Sequence, residues 1–215
     1  MTKKSIILIG GGGHCKSCID LILSTNLYSI AGIVDVKEKI GQKVLDFSVI
    51  AADDSLDELA GNYDCFAITV GQIKSPVARI RVYDRLRLLG ASLPVIVSPN
   101  AYVSPFATLG EGTMVFHHAV INAAARIGAN CIINNKALVE HDAVIGNHCH
   151  VSTATILNGN IVVGNGTFIG SNATVRQGID IGNFCIVGAG SVVLTDILSN
   201  TIVAGAPAIT IGTNA

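Results

Sequence analysis

Val139-Glu140-His141-Asp142-Ala143-Val144-Ile145-Gly146-Asn147-His148-Cys149-His150-Val151 carries an aliphatic residue at 139, 145 and 151. Followed outward in both directions, the six-residue interval holds without a miss from Val97 to Val193. With these aliphatics as position 1 of each hexad, position 5 is mostly Ala, Thr, Ser or Cys, with Ile at 161, 179 and 197. Position 2 is often glycine, as at Gly110, Gly128, Gly146, Gly164, Gly170, Gly182 and Gly188. A period of six fits neither the 3.6-residue turn of an α-helix nor a long alternating strand. It fits short strands joined by tight turns into a coil, a parallel β-helix.

Charge is scarce and uneven. Only Glu111, Arg126, Lys136, Glu140, Asp142, Arg176, Asp180 and Asp196 are charged between Val97 and Leu198, and the formal net charge of the chain is −1. A coil so poor in charge predicts outer faces covered by other copies of the chain. The absence of a basic run argues against nucleic acid as a partner. No apolar run reaches the ~18 residues of a membrane span, and the run Ser5 to Ile9 is too short for a secretory signal. The expectation is a cytoplasmic protein. Cys131, Cys149 and Cys185 differ by 18 and 36, one and two turns of a three-hexad coil, which makes them small inward hydrophobes. Cys15-x-x-Cys18 is a lone pair with little redox weight.

Residues 1–96 read differently from residues 97–215, and the boundary between two domains is placed there. Ser5 to Ile9 is a strand running into Gly10-Gly11-Gly12-Gly13-His14, and Cys18 to Leu23 is an apolar helix. A second strand is expected over Tyr28 to Val34, ending at Asp35, with an extra strand in 44–50 and a short helix from Ser55 to Leu59. Asp64 to Val70 is a third strand ending at Gly71. Pro76 to Leu89 is a helix with Arg79, Arg81, Arg85 and Arg87 on polar positions, and Leu93 to Val97 is a last strand leading into the coil. Alternating strands and helices imply a parallel sheet covered on both sides. A glycine loop at a helix amino end suits a phosphate, and Asp35 stands where dinucleotide folds hold an acid for ribose. Cys15, where G-x-G-x-x-G wants its third glycine, argues against a dinucleotide and favours a mononucleotide on a sugar, with a tight turn that binds no ligand as the alternative.

Five of the six histidines, 117, 118, 141, 148 and 150, fall in the coil. With Cys149 and Val151 inward, alternation turns His148 and His150 outward, and His141 at position 3 is placed near the same edge. A neutral imidazole beside a carboxylate makes a general base. Glu140 and Asp142 both neighbour His141, and spacing does not choose between them. A three-histidine zinc site, as in γ-class carbonic anhydrases, is the rival chemistry. A non-catalytic hexad protein that binds partners is a third reading.

The Ile9-to-His14 opening, Val70-Gly71, Glu140-His141-Asp142, His150 and the tail Ile202-Val203-Ala204-Gly205-Ala206-Pro207-Ala208 together resemble the bacterial sugar acyltransferases. That family includes sialic acid O-acetyltransferases and nucleotide-4-amino-sugar N-acetyltransferases. The resemblance implies a Rossmann-like α/β domain followed by a left-handed parallel β-helix of hexapeptide repeats. It also implies a homotrimer with a site in each groove between coils. Acetyl-CoA is the implied donor and a nucleotide-linked 4-amino sugar the implied acceptor, in glycan or polysaccharide biosynthesis; a sugar hydroxyl is the alternative acceptor. Carried over by position, His141 is the base and Asp142 its partner. His150, Gly159, Ser171 and Ala189 contact the donor, and Gly12, Gly13, His14, Asp35, Val36 and Gly71 the nucleotide-sugar. No metal is implied. Gln72 and Cys15 depart from residues frequent in the family.

Overall fold

The computed structural model describes residues 3–63 and 65–214. The chain divides into two compact units, Met1–Gly71 with Val77–Ile96, and Gln72–Pro76 with Val97–Ala215.

The first unit is an α/β layer structure. Its strands are β1 (Lys4–Ile9), β2 (Tyr28–Asp35), β3 (Lys43–Val44), β4 (Phe47–Ala52) and β5 (Cys65–Ile68); its helices are α1 (Gly13–Ser24), α2 (Leu56–Asn62) and α3 (Val77–Leu88). Sheet order is β3-β4-β2-β1-β5, parallel except for the β3–β4 hairpin. Ile6, Ile7, Leu8 and Ile9 are all buried, as expected of a parallel strand covered on both faces. On one face Ile7, Ile9, Val34, Phe66 and Ile68 pack with Leu56 of α2 and Leu86 of α3.

Three expectations need correction. The first helix begins at Gly13 rather than Cys18, because the glycines that form the loop also form its cap and first turn. Leu93 is buried but lies outside any strand; Ser92 alone bridges β5 at Cys65, and the coil's first strand is Ile96–Val97. Arg79, placed on the polar side of α3, is 1% exposed and shares its buried face with Leu86. Asp64 of the expected third strand lies outside the described residues.

The second unit is the coil. Each two-residue strand pairs in parallel with the strands 18 residues before and after it, as Val120 does with Tyr102 and Leu138. Three sheets result. The first holds Ile96–Val97, Met114–Val115, Ile132–Ile133, His150–Val151 and their successors; the second runs from Tyr102–Val103 to Val192–Val193; the third runs from Thr108–Leu109 to Asp180–Ile181. Position 1 is buried throughout from Val115 to Val193, and Ala, Thr, Ser, Cys and Ile of position 5 fill the corners beside it. Every position 4 from Gly112 to Gly190 has positive φ, whether it is glycine or His118, Lys136, Asp142 or Phe184. The corner demands the left-handed conformation, at a cost of about 1–2 kcal/mol for each non-glycine residue. Gly128 shows why position 2 stays bare: a Cβ there would lie 2.5 Å from Asn147 Oδ1 and 2.7 Å from its backbone nitrogen on the next coil. The repeat ends after Val193. Ile181 pairs with Ile197 and Val187 with Val203, a turn two residues shorter, and Thr201–Ala204 then runs antiparallel to Ile209–Thr213.

Candidate active site

In the first unit β1 lies between β2 and β5, so the strand order reverses beside β1. Open α/β sheets receive ligands in the crevice outside the carboxyl ends of the strands at such a point. The six residues expected to contact a nucleotide-sugar flank this crevice. Gly12 and Gly13 are exposed, open α1, and have no atom within 4 Å of a built Cβ. Gly71 lies against His14, whose Cβ would be 3.2 Å from a Cβ on the glycine. Asp35 is at the end of β2 and exposed Val36 follows it. Asp35 Oδ2 accepts from the Gly11 amide at 2.7 Å and from Lys39 Nζ at 2.9 Å, and Oδ1 accepts from the Val36 amide at 2.7 Å. Burial works to raise this carboxyl, but the bonds from Lys39, Val36 and Gly11 outweigh it and hold the pKa below the ordinary carboxylate value.

In the coil, His141 and Asp142 occupy positions 3 and 4 of the corner between the second and third sheets. His141 Nδ1 is 2.8 Å from Asp142 Oδ2. Of the two acids beside His141, then, Asp142 reaches the ring. Glu140 Oε2 instead accepts from Asn122 Nδ2 at 2.8 Å and from the His141 amide at 3.3 Å. A carboxylate only accepts, so Nδ1 carries a proton, and in the neutral ring Nε2 is left with its lone pair. One coil further on, a Cβ at Gly159 would lie 2.7 Å from His141 Cε1 and Nε2, so the imidazole rests over bare backbone. Both side chains are mostly exposed. An accessible, lone-pair-bearing Nε2 with a carboxylate behind the ring can take a proton from a bound nucleophile.

Residues 5–86 match the family described as PglD N-terminal domain, and residues 160–195 match the bacterial transferase hexapeptide (six repeats). A perosamine N-acetyltransferase from Caulobacter crescentus, crystallised with CoA and GDP-perosamine as a histidine-to-asparagine variant, is 33% identical over 98% of each chain, with a TM-score of 0.91. The chain belongs to the sugar acyltransferases. The acetyltransferase domain of PglB from Neisseria gonorrhoeae is 30% identical to this acyltransferase over 97% of its chain and 100% of that domain, with a TM-score of 0.89. WeeI from Acinetobacter baumannii, at 24% identity over 97% and 100% of the two chains and a TM-score of 0.83, shares the fold. None of the curated proteins compared with the chain matches it. The coil is the left-handed β-helix of this family.

Two other coil histidines of this acyltransferase, His148 and His150, do not lie where the sequence placed them. His148 stands at the corner between the third and first sheets, with Nδ1 3.0 Å from Asn130 Nδ2, and so does not share the edge of His141. His150 lies on a strand of the first sheet and is 6% exposed rather than open to solvent. The segment Gln72–Pro76, which packs with the coil, covers it: His150 Nδ1 donates to the Gln72 carbonyl at 2.6 Å, and the ring meets Phe168 edge-on. Asn134, which sequence reasoning missed, has Nδ2 3.2 Å from His150 Nε2; its place one coil before Ser152, beside inward Ile133, was the available signal. Ser171 and Ala189 lie one coil apart on the edge between the first and second sheets, and Ser171 Oγ is 2.9 Å from Ser152 Oγ.

Among the described residues no group of three His, Cys, Asp or Glu side chains is placed to hold a metal, and no helix is long and apolar enough to cross a membrane. All six cysteines are buried. Burial pushes the thiols of Cys15, Cys18 and Cys149 up, so none is a ready nucleophile.

Proposed function

We propose that this acyltransferase moves an acetyl group from acetyl-CoA to the 4-amino group of a nucleotide-linked amino sugar, by direct attack and with His141 as general base. The observation that carries the reading is the His141–Asp142 pair, with Nε2 accessible over Gly159. It is supported by the similar enzyme crystallised with CoA and GDP-perosamine, and by the PglB domain crystallised with acetyl coenzyme A. The neutral sugar amine attacks the thioester carbonyl, the new C–N bond forms, and the C–S bond breaks to release CoA thiolate. The amine proton passes to His141 Nε2, and Asp142 steadies the imidazolium until the proton leaves to the thiolate or water. Backbone amides of the groove hold the oxyanion. Gly12, Gly13, His14, Asp35, Val36 and Gly71 hold the nucleotide-sugar, and His150, Gly159, Ser171 and Ala189 line the path of the donor.

A homotrimer suits this arrangement. The outward column of the second sheet, Tyr102, Val120, Leu138, Ile156, Thr174 and Val192, has no charge, and Tyr102 and Ile156 are exposed. An uncharged, mostly apolar face of this kind marks association. His141 and Gly159 border it on one edge, Ser171 and Ala189 on the other. Packing of coils through this sheet brings the edge of one copy to the opposite edge of the next, which completes a groove that one chain lacks. The setting is cytoplasmic glycan biosynthesis.

The test is thiol release from acetyl-CoA with a panel of UDP-, dTDP-, GDP- and CMP-linked 4-amino sugars, beside a free sialic acid as hydroxyl acceptor. Turnover confined to an amine is expected. Turnover of the hydroxyl acceptor alone, or of none, would refute the reading.

A further inference from the structure

The free edge of β5 is completed by a side chain. The Thr69 amide points toward β1, donating to Ile9 O at 2.8 Å. By alternation, Phe66, Ile68 and Val70 turn their backbone groups the other way, to an edge where no further strand lies among the described residues. Phe66 N–H finds Ser92 O there at 3.0 Å. The carbonyls of Ile68 and Val70 instead both accept from Arg79 Nη1 of α3, at 2.9 and 2.6 Å. At 1% exposure, this guanidinium stands in for the missing strand at the carboxyl end of β5.

What it braces is one wall of the crevice. Val70 is the residue against which Gly10 packs, with a built Cβ at Gly10 only 2.6 Å from Val70 Cγ2. Thr69 Oγ1 lies 2.9 Å from Ile9 O and 2.6 Å from Gly10 O, tying the same wall to the start of the glycine loop. Gly71, next in the chain, closes on His14. We infer that Arg79 is a positioning residue for the acceptor: it fixes Val70–Gly71 against the Gly10–His14 loop and so sets the width of the nucleotide-sugar crevice. This rests on the proposed acceptor site. Both bonds come from one nitrogen, Nη1, which the planar guanidinium holds in a fixed direction between the two carbonyls, whereas an ammonium on a flexible stem is a point charge without that direction. Lysine therefore keeps the charge at this site but not the brace.

The experiment compares the full-length parent with Arg79→Lys, Arg79→Gln and Thr69→Val, the last cutting the wall from its β1 side. Steady-state kinetics use the nucleotide-4-amino sugar that the parent turns over, with thermal melts to identify folded variants. Acceptor KM is expected to rise about tenfold or more, with kcat and the acetyl-CoA KM within about twofold of the parent. Hydrogen exchange should quicken in segments 10–13 and 69–71 of Arg79→Lys. An unchanged acceptor KM in a folded variant overturns the inference, and so does a joint fall of kcat and both affinities together with melting temperature. If Arg79→Gln does not fold, the Lys and Val variants decide. If the parent accepts no amino sugar, the proposed function fails by itself, and unaltered exchange in those two segments would separately remove the brace.

Discussion

Gly159→Ala isolates the placement of the His141 ring from the stability of the coil. A methyl carbon at 159 would lie 2.7 Å from Cε1 and Nε2 of His141, against an ordinary carbon contact of about 3.5–4 Å. The backbone of Gly159 is held by its neighbours, since its carbonyl accepts from Gly178 N–H at 3.0 Å. The exposed imidazole is the part free to move, and it must retreat by roughly 1 Å. A misplacement of that size costs about 10²-fold in rate, close to 2.7 kcal/mol of barrier. The fold should not suffer. Gly159 does not have a positive φ, and glycine-to-alanine at a compatible position stabilises by about 0.4–1 kcal/mol. Thiol release and a thermal melt on the same preparation should therefore diverge, with kcat down about a hundredfold and melting temperature level or higher. The double variant His141→Ala with Gly159→Ala tells whether the ring carries the effect, since residues in contact are not additive. Its kcat should equal that of His141→Ala alone. A parent-like kcat in Gly159→Ala, or a further large loss from it in the His141→Ala background, would refute the reasoning.

His141→Ala should lower kcat by about 10² to 10⁴ with both KM values little changed, and equal kinetics in parent and variant would remove the base. Asp142→Asn tolerates the left-handed corner but cannot balance an imidazolium, so kcat should fall while the melting temperature holds. Because the folded pKa of Asp35 lies below its unfolded value, its contribution to stability is complete above about pH 4 and is lost as pH falls through the lower folded value. Acid titration of Asp35→Asn should show a shallower loss in that window than the parent, and identical curves would contradict the assignment. A thiol reagent should count none of the six cysteines in the native protein and all of them in denaturant; rapid native labelling of Cys15 or Cys18 would revive a surface role for that pair.

The hexads made the coil legible because burial in it depends only on position within six residues. Which corner a residue occupies depends on position within eighteen. That longer period separates the cysteines correctly and, applied to the histidines, also parts His148 from His141, 7 residues on. It pairs His141 with Gly159 and Ser171 with Ala189, each 18 apart. His150 was hidden for another reason. What covers it is Gln72, 78 residues earlier, and no local pattern announces that residues 72–76 belong with the coil. Arg79 had a readable signal, since Val82 and Leu86 stand three and seven residues on along the same stripe. Its charge argued for solvent, and two strand-edge carbonyls overruled it. The Glu140 or Asp142 choice turned on side-chain direction: Asp142 stands at the left-handed corner position and turns its carboxylate to the ring, and spacing alone does not give that direction.

The uninterrupted coil is also a ruler. Neighbouring coils are about 4.8 Å apart, and no inserted loop disturbs the count between Val97 and Val193. Along the axis, then, Ser171 lies roughly 8 Å and Ala189 roughly 13 Å beyond the level of His141, from that same spacing. In the proposed function a long, flexible donor is gauged by rungs: adding or deleting one 18-residue turn between His141 and Ser171 would leave every core contact type intact while offsetting the two proposed ends of the donor site by one graduation.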